Sequence, residues 1–169
     1  TMPNIVANRI NSALDFGGAS MSLSSEELSG VRALEVACRA LAHGELDAAL
    51  VGAVDLAAEP VQRAALRALG EPREAADAAV MLVLERVEDA RKNGHPIIAI
   101  VAPAIPQGDR IDLPATSAHA AAGLLQIAEA VLGGEEVRLE VGAMEGQRAA
   151  VVIRAGDGPA RVGKSATRS

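Results

Sequence analysis

Residues 47–54, DAALVGAV, form an unbroken apolar run of strand length, the pattern of a strand covered on both faces. Two more such runs, AAVMLVLERV (78–87) and PIIAIVA (96–102), alternate with segments whose apolar residues recur at helical spacing. From Glu26 to about Ala42, the residues Leu28, Val31, Leu34, Cys38 and Leu41 follow one helix face, and Gly44 is placed to cap its C-terminus. Ile5, Val6, Ile10 and Leu14 do the same in residues 4–14, and AHAAAGLLQIAEAVL (118–132) reads as a small-residue helix ending at Gly133–Gly134. A short helix, VQRAALRAL, follows Pro60 and stops at Gly70, and EDARKNG is a helical turn closed by Gly94. Two strands, EVRLEVGAM and RAAVVIRA, joined by a turn at Glu145–Gly146, finish the pattern. Strands alternating with helices predict an α/β domain with a mostly buried sheet.

The core this implies is aliphatic. Half of the 169 residues are hydrophobic, yet Phe16 is the single aromatic residue. Without stacking platforms, and with a formal charge of −6, the chain is not built for nucleic acid. Its single cysteine, Cys38, cannot form an internal disulfide and reads as a small buried hydrophobe. His43, His95 and His119 are scattered singly, so no metal-ligand spacing exists. No apolar run is long enough to cross a membrane, and a soluble cytoplasmic setting is expected. Residues 156–169 lack periodicity and read as a flexible tail.

The stretch SLSSEELSGVRAL (22–34) concentrates the chemistry. It starts as a short strand, ASMSLS, and passes through two serines and two glutamates into a helix. Ser24 and Glu27 have capping-box spacing, with Ser24 as the cap and Glu27 reaching back to its N–H. Carboxylates in a first helical turn also complement the helix dipole.

The order of pieces in GGASMSLSSEELSGVRALEVACRALAHGELDAALVGAVDL resembles the ketosynthase family of the thiolase fold. Gly18-Ala19-Ser20 is similar to the family's Gly-Pro-Ser turn, Ala37-Cys38 to its helix end, and Gly44-Glu45-Leu46-Asp47 to its second turn. ADAAVMLVLERVEDA and HAAAGLLQIAEAVL resemble later family blocks. The resemblance implies a thiolase-like layered α-β-α fold, abbreviated, with a mixed central sheet. It implies one truncated domain over 1–155, with first-half-like elements in 1–102 and second-half-like elements in 117–155.

In the ungapped register the family's nucleophilic cysteine falls on Glu27. Aligning the later helix on Gly123 puts the family's second catalytic histidine on Ser117 and a family lysine on Asp112. A carboxylate cannot carry the thioester that condensation needs. The resemblance therefore implies a noncatalytic, chain-length-factor-like domain of a polyunsaturated fatty-acid or iterative polyketide synthase. No cofactor is expected on the chain itself; phosphopantetheine would sit on a partner carrier protein. Residues Ser20, Met21, Ser22, Leu23 and Ser24 match the family's dimer-interface strand, so a homodimer or pairing with a ketosynthase domain is expected. Two alternatives stay open. One is a residual malonyl decarboxylase or acyl hydrolase using Glu27 or His119. The other is an acyl- or carrier-protein-binding module, for which Arg32, Arg39, Arg63, Arg67 and Arg73 are the basic candidates toward an acidic carrier.

Overall fold

The structure, a computed structural model, describes residues 4–56, 58–68, 70, 76–106, 119–134, 136–143 and 146–158. Helix α1 covers Ile5–Ala13. A 3-10 turn at Glu26–Leu28 leads into α2, Ser29–Ala42. Then come β1 (Ala48–Leu56), α3 (Pro60–Ala68), β2 (Asp77–Glu85), α4 (Val87–Asn93) and β3 (Ala99–Ala104). The chain continues through α5 (His119–Gly133), β4 (Val137–Gly142) and β5 (Arg148–Ala155).

The strands form two antiparallel ladders. β1 pairs with β2 from Ala48↔Glu85 to Leu56↔Asp77, and β5 lies between β3 and β4. Helices α2 and α5 touch each other and pack on both ladders, so they form a middle layer. The α/β fold expected from sequence holds in abbreviated form, with α2 and α5 lying between the two ladders, and the pairing is antiparallel throughout the described strands instead of mixed. Apolar runs report burial and carry no information about strand direction.

The core is where the helical stripes and the inner strand faces meet. Leu28, Val31 and Leu34 of the first helical segment pack with Leu124 and Ile127 of α5, Val51 of β1, and Val151 and Ile153 of β5. Residues from both halves of the sequence thus share one core. The helices approach closely at two glycines. A Cβ on Gly30 would lie 2.9 Å from the Leu124 Cβ, and one on Gly123 would lie 2.6 Å from Val31 Cγ2. Only residues without side chains fit that crossing.

Outside the core, two surfaces remain uncovered. Helix α1 buries none of its residues, leaving Ile5 and Val6 exposed with Leu14, Phe16, Met21 and Leu23 further along the same arm. The outer face of the β1–β2 ladder presents Val54, Leu56, Met81 and Val83, the last of these 78% exposed.

Arg86, just after β2, ties the turn that follows α2 to α4. Its guanidinium donates to the carbonyls of Leu41 (3.0 Å) and Leu46, and to the carboxylates of Asp47 (3.0 Å) and Asp89. The α2 end itself closes as expected: Gly44 takes φ 72°, and the Glu45 N–H reaches the Ala40 carbonyl at 3.0 Å.

Two expectations need correcting here. The first residues assigned to the tail are tied to the fold, because Gly156 and Gly158 donate to the Ile98 and Ile97 carbonyls at 3.1 and 2.8 Å. A Cβ on Gly156 would overlap the Ile97 carbonyl, so the glycine is what allows that approach. The rest of that segment, 159–169, lies outside the described residues. Cys38 is half-buried rather than fully buried, because it lies at the edge of the α2 stripe where a groove opens.

Candidate functional site

The corner at residues 24–29 differs from the capping box in its hydrogen bonds. Neither Ser25, before the 3-10 turn, nor Leu28, before α2, supplies a side-chain cap. Ser29 takes that role: its Oγ accepts from the Ser25 N–H at 2.9 Å and donates to the Glu26 carbonyl at 2.7 Å. The tighter 3-10 winding, with Glu26 at φ 48°, turns Glu27 into the protein instead of back along the helix axis. Glu27 is 4% exposed, and its carboxylate has no hydrogen bond or ion pair among the described residues. A buried polar group in that state is costly to fold around and stands out in a core that is otherwise apolar.

His119 sits against the same corner. It is the first residue of α5 and holds φ 35°, a left-handed conformation uncommon outside glycine. Its Nε2 lies 3.6 Å from Glu26 Oε2 and its Nδ1 lies 3.8 Å from Asp55 Oδ2. Asp55 also accepts the Ala120 N–H at 3.0 Å, so a strand carboxylate caps the N-terminus of α5. The structure thus brings Glu26, Glu27, Asp55 and His119 to one end of the helical layer. Asp55 was not singled out from sequence, although it is the one charged residue in the β1 run and so signalled a special position. Ser117 and Asp112 lie outside the described residues.

The remaining candidates separate. Ser20–Ser24 join no ladder, so the expected strand is absent. A strand is defined by its partner, and none of the described strands pairs with these residues. Met21 and Leu23 are both exposed there. Arg32 and Arg39 line a groove of about 480 Å³ between α2 and the end of β3, together with Glu35, Cys38, Pro103 and Ile105. Arg32 is held by Glu35 at 2.6 Å and donates to the Arg148 carbonyl at 3.2 Å, whereas Arg39 has no ion pair among the described residues. Burial pushes the Cys38 thiol above its ordinary pKa, and the nearby Glu35 charge adds to the shift. Arg63 and Arg67 are exposed on α3, and Arg73 lies outside the described residues.

Among the described residues no group of three or more His, Cys, Asp or Glu is arranged to hold a metal ion. None of the described helices is long and apolar enough to cross a membrane.

Two solved structures superpose on this arrangement. An oxazolomycin ketosynthase domain, OzmH KS7 of Streptomyces albus JA3453, matches with a TM-score of 0.74 and 14% identity over 95% of this chain and 51% of that chain. A chain from the complex of a type II polyketide acyl carrier protein with its ketosynthase, AntDE:AntF, matches with a TM-score of 0.72 and 15% identity over 91% and 67%. The fold is a ketosynthase fold. Residues 1–74 also match the family described as beta-ketoacyl synthase, N-terminal domain. Among curated proteins, the highly reducing polyketide synthase ntnH of Nectria sp. is 35% identical over 112 residues. Polyketide synthase GfsA of Streptomyces halstedii is 33% identical over 113 residues. These alignments take in 57% and 58% of this chain but only 5% and 2% of the relatives' lengths. The chain is therefore similar to one small part of each synthase.

Proposed function

We propose that this chain is a noncatalytic, chain-length-factor-like ketosynthase domain whose role in a fatty-acid or polyketide synthase is structural: it pairs with a second ketosynthase-type domain or with a copy of itself. The observation that carries this reading is Glu27. The resemblance puts the family's nucleophile on this residue, and its side chain is buried with no acid–base partner on its carboxylate among the described residues. Condensation needs a thiolate at that point and donors aimed at the thioester oxygen. Neither the residue type nor its described surroundings supply them. Cys38, the only thiol, lies well along α2 and is made less acidic by burial. The exposed apolar arm supports the pairing part of the proposal, because Leu14, Phe16, Met21 and Leu23 gain nothing from staying in water.

The test is native mass spectrometry of the protein over a range of concentrations, alone and mixed with a ketosynthase domain. Dimer or heterodimer that Met21→Arg dissociates is the expected result. A monomer under all of these conditions would overturn the pairing role.

A second reading, a residual acyl-thioester hydrolase, is favoured by the placement of His119 between Glu26 and Asp55. There a water would attack the thioester carbon while His119 took its proton, then returned it to the departing thiolate. Thioester hydrolysis lost in His119→Ala with the fold intact would favour this reading over the structural one.

A further inference from the structure

Two residues other than glycine stand at left-handed φ on opposite sides of one contact: Glu26 at 48° in the 3-10 turn and His119 at 35° at the start of α5. Such conformations are costly away from glycine and persist only where the surroundings hold them. What holds them here is charge. The His119 ring lies 3.6 Å from Glu26 Oε2 and 3.8 Å from Asp55 Oδ2. Those distances are too long for hydrogen bonds, so the contact has its full strength only while the ring is protonated. The turn it secures leaves Glu27 buried, with no partner on its carboxylate among the described residues. Yet Ser24-Ser25-Glu26-Glu27 has the spacing of a capping box, in which Glu27 would accept the Ser24 N–H and α2 would begin a turn earlier. The corner thus has two ways to start one helix, and the one observed carries the strained φ angles.

We propose that residues 24–29 form a two-state element biased by a proton on His119. Protonated, the ring holds Glu26 and keeps the 3-10 turn. Neutral, it lets go, and the share of an α-helical start capped by Ser24 and Glu27 rises. The 3-10 form is the major one and the capped form a minor conformer. This inference goes beyond the pairing role and does not depend on it.

Histidine suits such a bias, since its charge ordinarily changes between about pH 5 and 8. The facing charges set the sign. Glu26 and its neighbour Glu27 from the turn, and Asp55 from β1, favour the imidazolium. The positive end of α5 opposes it, and Asp55 offsets that by accepting the Ala120 N–H at 3.0 Å. Helix α2 and strands β2 and β4 also pack on α5, but their carboxylates are engaged elsewhere. Glu35 is held by Arg32, Glu140 by Arg138, Glu85 by His95 and Asp77 by the Ala58 N–H. Strand β5 brings only the cations Arg148 and Arg154, and Glu129 lies near the other end of α5. Acid therefore favours the 3-10 form, and alkali the capped form.

Relaxation-dispersion NMR at the amides of Ser25, Glu26 and Glu27 reads the two forms, because it detects exchange on the microsecond-to-millisecond scale. The minor conformer should carry helical Cα shifts at Ser25 and Glu26. Its population should rise about two- to fivefold from about pH 5 to about pH 8, the bias expected of a partly exposed ion pair. That rise should follow the titration of the His119 ring. In Glu26→Gln the minor population should already be raised at the acid end while the ring still titrates, and in His119→Gln it should not vary with pH. Ser24→Ala should lower it throughout. Ser29→Ala removes the hydroxyl that accepts from the Ser25 N–H and donates to the Glu26 carbonyl, and should bring the helical form into direct view. Circular dichroism checks that each variant keeps the parent fold.

No second conformer in the parent at either end of that range, and none in Ser29→Ala, would overturn the two-state reading. A minor population that is unchanged by pH, or that keeps its pH dependence in His119→Gln, would overturn His119 as the group that biases it. Either failure, together with dimers that Met21→Arg dissociates, would leave the pairing role standing.

Discussion

A methyl group added at Gly123 should test whether the helical layer is as closely packed as its two glycines imply. The new Cβ would lie 2.6 Å from Val31 Cγ2 and 3.2 Å from Val141 Cγ1, well inside the roughly 3.5–4.0 Å at which carbon atoms attract. Val31 and Val141 are 0% and 1% exposed, so neither can swing out to solvent. Relief has to come from parting α2 and α5 or from forcing a valine off its rotamer, an overpacking cost of about 1–3 kcal/mol. Replacing glycine by alanine inside a helix returns up to about 1 kcal/mol through propensity. With so short a contact, Gly123→Ala should end near a net loss of about 1–2 kcal/mol. Val31→Ala alone should cost about 2 kcal/mol through lost burial and a residual cavity. Together the two changes should be less damaging than their sum by about 1 kcal/mol or more, because the methyl added at position 123 enters the space that the Val31 side chain vacates. Urea unfolding of the four proteins followed by far-UV circular dichroism supplies the cycle. If Gly123→Ala is as stable as the parent, or the two losses simply add, the close-crossing argument fails.

Glu27→Leu should stabilise the protein by about 1 kcal/mol, because it puts an apolar side chain in place of a buried polar one that has no partner among the described residues. A capping role would give the opposite sign, so denaturant titration of this variant separates the two accounts. The Glu85 carboxyl titrates below its ordinary value, chiefly through its hydrogen bond with His95 (2.7 Å) and also with Asn93 (3.0 Å). A carboxyl lowered on folding contributes stability at pH above its unfolded value and loses that contribution as pH falls through the folded one. In His95→Ala the Glu85 carboxyl should therefore titrate at higher pH by carbon-detected NMR and the acid limb of stability should flatten; an unmoved titration would exclude the His95 contact as the cause.

The helices and strands were legible because burial writes its period into the chain. The α2 stripe from Leu28 to Leu41 and the apolar run of β1 fall where the sequence put them. Strand direction was not legible, since the β1–β2 ladder would leave the same apolar pattern if it ran parallel. ASMSLS shows a second limit: alternation marks a segment able to join a sheet, but only a partner makes it a strand. At the corner, spacing offered Ser24 and Glu27 as a reciprocal cap. One residue at positive φ, Glu26, was enough to rotate Glu27 inward and hand the capping to Ser29. Likewise Asp55 and His119, far apart in sequence, meet only because β1 ends beside the start of α5.

The sandwiching of α2 and α5 between two ladders also sets the order in which the chain can become safe from aggregation. During synthesis α2, β1 and β2 emerge ahead of α5, and everything through Glu85 is made before His119 begins that helix. Until then the inner faces of Val31, Leu34, Val51 and Val80 have no α5 to cover them. At about 5–20 residues per second that interval lasts several seconds, long compared with hydrophobic collapse. The nascent chain thus spends those seconds as an open half-sandwich whose closing piece is still being made. Pauses in translation before His119 should raise its demand for chaperones, and pauses after Gly133 should do so less, until Val141, Val151 and Ile153 of β4 and β5 have been made to cover the other side of the helical layer.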